Sequence, residues 1–138
     1  MMYDETLVAP MRQELTELGI VETRTPAEVD KYLAGLKGTC MVVVNSVCGC
    51  AAAMARPAVT YAMENPKKPA KAITVFAGND AEATAKARSY LVGYPPSSPA
   101  IALLKDGEVV FMLERHNISG RGADEIADDI KAAFNEFC

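Results

Sequence analysis

The sequence predicts an α/β fold: a central mixed sheet with helices on both faces and an extra helix at the N-terminus. Three observations carry this. Apolar runs of strand length alternate with segments of helical spacing, as βαβ units with parallel strands require. An Asp-Gly dipeptide at 106–107 separates two further apolar runs, which adds an antiparallel hairpin at one edge. The helical segments carry one-sided apolar stripes, suited to lying on a sheet.

Leu7, Met11, Leu15 and Leu18 recur at helical spacing. Gly19 stops this first helix, and Pro10 is expected near its start. Residues 20–22 read as a short strand. Thr25, Pro26 and Glu28 then form a capping box, with Thr25 as N-cap and Pro26 at the first helical position. Val29, Leu33 and Leu36 make that helix's apolar stripe, and Gly38 ends it. The run TCMVVVNSV is β-branched and continuous, a strand buried on both faces. From Cys50 to about Asn65 the chain reads as a helix, kinked at Pro57. AITVF is a second buried strand. A helix over 80–91 follows, capped by Asn79 or Asp80. GYPPSSP is a turn-rich loop, and AIALL and EVVFML form the hairpin. Ile126, Ile130, Phe134 and Phe137 mark a terminal amphipathic helix.

Composition narrows the function. The 138 residues suit a single domain over 1–138, and 50% apolar with 23% charged residues is a globular balance. A net charge of -4 argues against nucleic acid as a partner. The apolar stretch at 40–44 is strand-sized and no run approaches the length of a membrane span, so no membrane is expected. No apolar h-region opens the chain, so the expected localisation is cytoplasmic. In that reducing compartment a close cysteine pair is more often catalytic or metal-binding than structural.

Cys48 and Cys50 are such a pair. They fall where a buried strand ends and a helix begins, the edge at which open α/β sheets place their sites. A helix N-terminus offers unpaired N–H groups and partial positive charge, which favour thiolate over thiol. Cys48, further from the helix body, is expected to be the more exposed and to attack first in thiol–disulfide exchange. Cys50, entering the first turn, is the resolving thiol. Gly49 is expected to permit a tight backbone between them. A CxC disulfide closes a smaller ring than CxxC, which suits turnover rather than stapling. Asn45 and Ser46 are candidates to orient the loop through side-chain-to-backbone bonds. At the same sheet edge, Pro99 opens the first hairpin strand and is a candidate cis peptide. A cis bond would leave the Ser98 backbone free to pair with an extended substrate beside Cys48.

Other residues read more plainly. Cys40 faces inward from a buried strand. Cys138 is a loose terminal thiol. His116, the only histidine, has a surface or cap role, with proton transfer as the alternative. Arg56 is a solvated helix residue, or else binds a thiol ligand's carboxylates. Two other functions compete. CxC could give a soft metal or cluster two thiolates, although a tetrahedral site needs two more ligands. The pair could also switch a binding surface without turnover.

The strand, cysteine pair, kinked helix and proline-led hairpin resemble the thioredoxin superfamily. NSVCGCAAAMARPA, YPPSSPAIALLKDGEVV and MLERHNISGR together resemble the bacilliredoxin family. That resemblance implies one thioredoxin-like domain that removes bacillithiol from S-bacillithiolated client proteins, with an associated disulfide isomerase activity. It implies Cys48 as nucleophile, Cys50 as second thiol and Pro99 as cis-proline. It implies no bound cofactor and no metal. Bacillithiol, or another low-molecular-weight thiol, is the co-substrate, and S-thiolated proteins are the partners. Two departures separate the chain from ordinary thioredoxins: it has no Trp, and the strand before the motif holds no carboxylate.

Overall fold

The computed structural model describes residues 2–138. In chain order the elements are α1 (Glu5–Thr16), β1 (Val21–Glu22), α2 (Pro26–Leu33), β2 (Thr39–Asn45), a π-helical turn (Ala51–Ala55), α3 (Arg56–Ala62), β3 (Lys71–Phe76), α4 (Ala81–Tyr90), β4 (Ala100–Lys105), β5 (Glu108–Leu113), α5 (Arg115–Ile118) and α6 (Ala123–Phe137). The sheet order is β1-β3-β2-β4-β5. β1, β3 and β2 are mutually parallel neighbours, while β4 and β5 are antiparallel additions. The predicted mixed sheet is therefore present.

β2 is central and buried along its whole length. Its side chains alternate between the two faces of the sheet. Met41 and Val43 join a core with Leu15, Val59, Ile126, Ile130 and Phe134, beneath α1, α3 and α6. Cys40, Val42 and Val44 join a second core with Val29, Leu33, Ala83 and Ala87, beneath α2 and α4. A continuous apolar run can serve both cores only from the middle of a sheet.

The hairpin turn follows its sequence signal. Asp106 and Gly107 have φ of 52° and 87°, the paired left-handed residues of a type I′ turn. Asp106 is also tied to the end of α2's connection. Its N–H donates to the Gly38 carbonyl at 2.9 Å, and its Oδ1 accepts from the Gly38 N–H at 2.8 Å.

Four local expectations are corrected. Helix α1 begins at Glu5, before Pro10 rather than at it, because Asp4 caps it by accepting from the Thr6 N–H at 2.9 Å. Its buried positions are Val8, Arg12 and Leu15, while Leu7 is exposed. The stripe is turned by an ion pair: Arg12 Nη1 donates to Asp80 Oδ2 at 2.6 Å, and the guanidinium lies over the Phe76 ring. Asp80 does occupy the N-cap position of α4, but its side chain serves Arg12 and makes no capping bond. The bend expected at Pro57 takes the form of the π-helical turn just before it, in which the Arg56 N–H bonds to the Ala51 carbonyl. Pro57 has no N–H and excludes a carbonyl four residues back, and the widened register accommodates both.

Candidate active site

β2 delivers the chain at Asn45 into a short loop, Ser46 to Cys48, before Gly49 and Cys50 enter the next helix. The Cys48 carbonyl accepts the N–H groups of Ala51 at 3.0 Å and Ala52 at 3.2 Å, so it starts the helical ladder. The Cys48 N–H donates to Ser46 Oγ at 3.3 Å. Cys48 and Cys50 are joined as a disulfide with Cα atoms 5.4 Å apart. Cys50 is buried, and Cys48 is partly exposed. The order of exposure is the one expected from the distance of each cysteine to the helix body.

The loop is held from behind by one side chain. Arg56 is only 2% exposed, so it is neither the solvated residue nor the ligand contact that the sequence suggests. Its Nη1 donates to the Ser46 carbonyl at 2.8 Å and to Asn45 Oδ1 at 3.0 Å. Its Nε donates to Glu14 Oε2 at 3.0 Å. These acceptors replace the water that a buried guanidinium would otherwise lose. Asn45 Oδ1 also accepts the Ser46 N–H at 2.9 Å, and Asn45 Nδ2 donates to the Met11 carbonyl at 3.1 Å. Helix α1 thus braces the motif loop through Met11 and Glu14. One sequence signal for Arg56 exists: it is the only charged residue within the run AAAMARPAV.

The tight backbone expected at Gly49 does not require glycine. Its φ is not in the left-handed region, and a Cβ there would meet no heavy atom within 4 Å. Residue 49 enters a right-handed helical turn, which any L-residue adopts.

The Ser98–Pro99 bond is cis, and Pro99 is buried at the start of β4. Ser98 and Cys48 line one cavity of about 270 Å³, together with Ser46, Tyr3 and Arg115. Tyr3 is pinned there by Asn79, whose Oδ1 accepts the Tyr3 N–H at 2.8 Å and whose Nδ2 donates to the Tyr3 carbonyl at 3.0 Å. A longer groove of about 700 Å³ adjoins it, with Ser98 and Arg115 lining both. Sequence reasoning missed Tyr3 and Arg115 because neither is near Cys48 in the chain.

The remaining candidates lie elsewhere. His116 is exposed, lines the longer groove but not the Cys48 cavity, and has the Glu114 carboxylate 3.7 Å from its Nε2. Cys40 sits five residues before Asn45, about 16 Å back along β2. Burial pushes its thiol up to about 11, so it is protonated and inert near neutrality. Cys138 is exposed after α6, beside Thr39 and so near the same end of β2. Among the described residues no group of three or more His, Cys, Asp and Glu could hold a metal ion. The metal-carrier alternative therefore finds no third ligand among them. Among the described residues no helix is long and apolar enough to cross a membrane.

Comparison with known proteins agrees with this geometry. The family described as disulphide isomerase matches residues 3–138. The chain is 53% identical to a bacilliredoxin of Koribacter versatilis over 137 residues, covering 99% of this chain and 94% of that one. It is 51% identical to a bacilliredoxin of Geobacillus kaustophilus over 137 residues, with the same shares covered. Among solved structures it is similar to a thioredoxin of Malassezia sympodialis, with a TM-score of 0.57 at 15% identity. That match covers 86% of this chain and 90% of the other. At that identity the likeness shows the fold, which is the thioredoxin fold.

Proposed function

The chain belongs to the bacilliredoxin family of thiol–disulfide oxidoreductases, and from that premise we propose that it removes bacillithiol from mixed disulfides on client proteins. The observation that carries the reading is the Cys48–Cys50 disulfide, whose Cys48 lines one cavity with Ser98.

The reaction runs from the reduced pair. The Cys48 thiolate attacks the bacillithiol sulfur of the mixed disulfide. The bond to the client breaks, and the client cysteine leaves as a thiolate that takes a proton from water. The small thiol remains on Cys48. The Cys50 thiolate then attacks Cys48 Sγ, expels the small thiol and forms the disulfide seen here. Two further low-molecular-weight thiols, leaving together as their own disulfide, supply the two electrons and two protons that restore the pair. The partly exposed Cys48 is the sulfur a client can reach, and the buried Cys50 the one reserved for resolution. The Ser98 backbone offers an extended client segment a place to pair. Isomerase activity follows if Cys48 attacks a disulfide within a client and Cys50 does not intervene.

The test is intact mass and client thiol release after the reduced protein meets a bacillithiolated client, with a glutathionylated client alongside. Release from the bacillithiolated client, with the adduct on Cys48, supports the reading. A pair that oxidises and reduces without releasing a client thiol would instead favour a redox-switched binding module.

A further inference from the structure

We propose that Arg115 is the specificity residue for the small thiol, its guanidinium holding a carboxylate of the adduct carried on Cys48. This rests on the thiol–disulfide exchange proposed above and names the chemical class of thiol it favours.

Arg115 is exposed and lines both the Cys48 cavity and the longer groove beside it. Among the described residues it is the only charged one lining the Cys48 cavity. It is also unspent. Arg12, Arg24, Arg56 and Arg121 each pair with a carboxylate, whereas Arg115 has none within 4.0 Å among the described residues. Glu114 lines the longer groove but not the Cys48 cavity, and its carboxylate faces His116.

The position of Arg115 is fixed to the loop that borders the sulfur. Its N–H donates to Ser97 Oγ at 2.7 Å, next to the Ser98–Pro99 bond. Behind the same loop Arg88, a second cation without a carboxylate partner among the described residues, donates from Nη2 to the Ser97 carbonyl at 3.3 Å. Its Nε is buried with no hydrogen-bond partner. Two uncompensated cations therefore flank residues 97–98 in a chain whose net charge is -4. Local positive potential on an acidic protein selects an anion, and a guanidinium fork fits a carboxylate bidentately. When the Cys48 thiolate displaces the client, the S–S bond to the client breaks and the small thiol stays on Cys48. Its carboxylate then lies on Arg115 in the same cavity.

The experiment uses one client peptide carrying three adducts of similar size: 3-mercaptopropionate (anionic), 2-mercaptoethanol (neutral) and cysteamine (cationic). kcat and KM are measured for wild-type, Arg115→Gln, Arg115→Lys and Arg115→Glu. The anionic-to-neutral ratio of kcat/KM should fall about tenfold in Arg115→Gln, chiefly through KM, the effect of one charge-assisted hydrogen bond. Arg115→Lys should keep most of the ratio, and Arg115→Glu should favour the cysteamine adduct. A ratio that does not move, or an equal fall for all three adducts, overturns the assignment; the equal fall would mean that Arg115 acts on the Cys48 thiolate. A wild-type protein that releases bacillithiol from the same peptide but reduces none of the three overturns this inference alone, and one that releases none of the four removes the oxidoreductase reading with it.

Discussion

The Arg56 guanidinium lies behind the motif loop and donates to the carbonyl of Ser46, two residues before Cys48, at 2.8 Å. The same nitrogen reaches Asn45, so one cation fixes the end of β2 and the start of the loop together. The position of Cys48 is therefore set by a residue on the following helix and not by the loop alone.

Replacing Arg56 with Met leaves the buried Ser46 carbonyl without its donor and frees Glu14. Unfolding in urea should show a loss of about 1–3 kcal/mol, the usual cost of an orphaned buried polar group. The alkylation rate of Cys48 in the reduced variant should also change, since the loop loses its brace. A variant with wild-type stability and wild-type alkylation would remove Arg56 from this role.

The two motif cysteines should separate by substitution. With Cys50 proposed as the resolving thiol, Cys50→Ser should let a small-thiol adduct accumulate on Cys48 when the protein meets a mixed disulfide. Cys48→Ser should form no such adduct at the motif. Peptide mapping decides, and an adduct on Cys50 in wild-type yield would reverse the order of attack.

Gly49→Ala should be tolerated, because residue 49 has ordinary right-handed backbone and open space beside its Cα. Reduced freedom of the unfolded chain should raise stability by about 0.4–1 kcal/mol. A destabilised variant would show that the glycine is needed for its backbone after all.

Cys40 should stay silent in the folded protein. Burial raises its thiol to about 11, so iodoacetamide at pH 8 should label Cys138 and spare Cys40 until denaturant is added. The sign for stability follows from the same shift. The unfolded thiol ionises first, so Cys40's contribution is complete below its ordinary value of 9.0 and is lost as pH rises through 11. The alkaline limb of the stability profile should flatten in Cys40→Ala.

Glu5 gives the opposite limb. Its hydrogen bond from Arg12 holds the carboxyl below its ordinary 4.5. The stabilisation is complete above that value and is lost as pH falls through the depressed one. Wild-type and Glu5→Gln should therefore differ in thermal midpoint at pH 7 and converge in acid. A constant difference across pH would assign the effect to packing instead.

The strands, the hairpin and the cysteine pair were legible because their signals are local. A β-branched run predicts β2, an Asp-Gly turn predicts the hairpin, and a proline after a turn-rich loop marks the cis bond at Ser98. The errors fall where distant charges meet. Helical periodicity placed Leu7 inward, but the pairing of Arg12 with Asp80, 68 residues away, turned α1. Local sequence likewise left Arg56 in solvent, although Glu14, Asn45 and Ser46 converge on it from two other parts of the chain.

The reactive groups of the site are encoded locally: two thiols one residue apart, where a strand hands over to a helix. Periodicity and helix-terminal charge act over a few residues, so one stretch of chain suffices to specify them. What surrounds those thiols depends on the folded chain. Buried ions need partners wherever the fold can supply them, and a cavity exists only where separate loops converge. Arg115 beside Cys48 and Arg56 beneath Ser46 are products of that convergence, which no local pattern encodes.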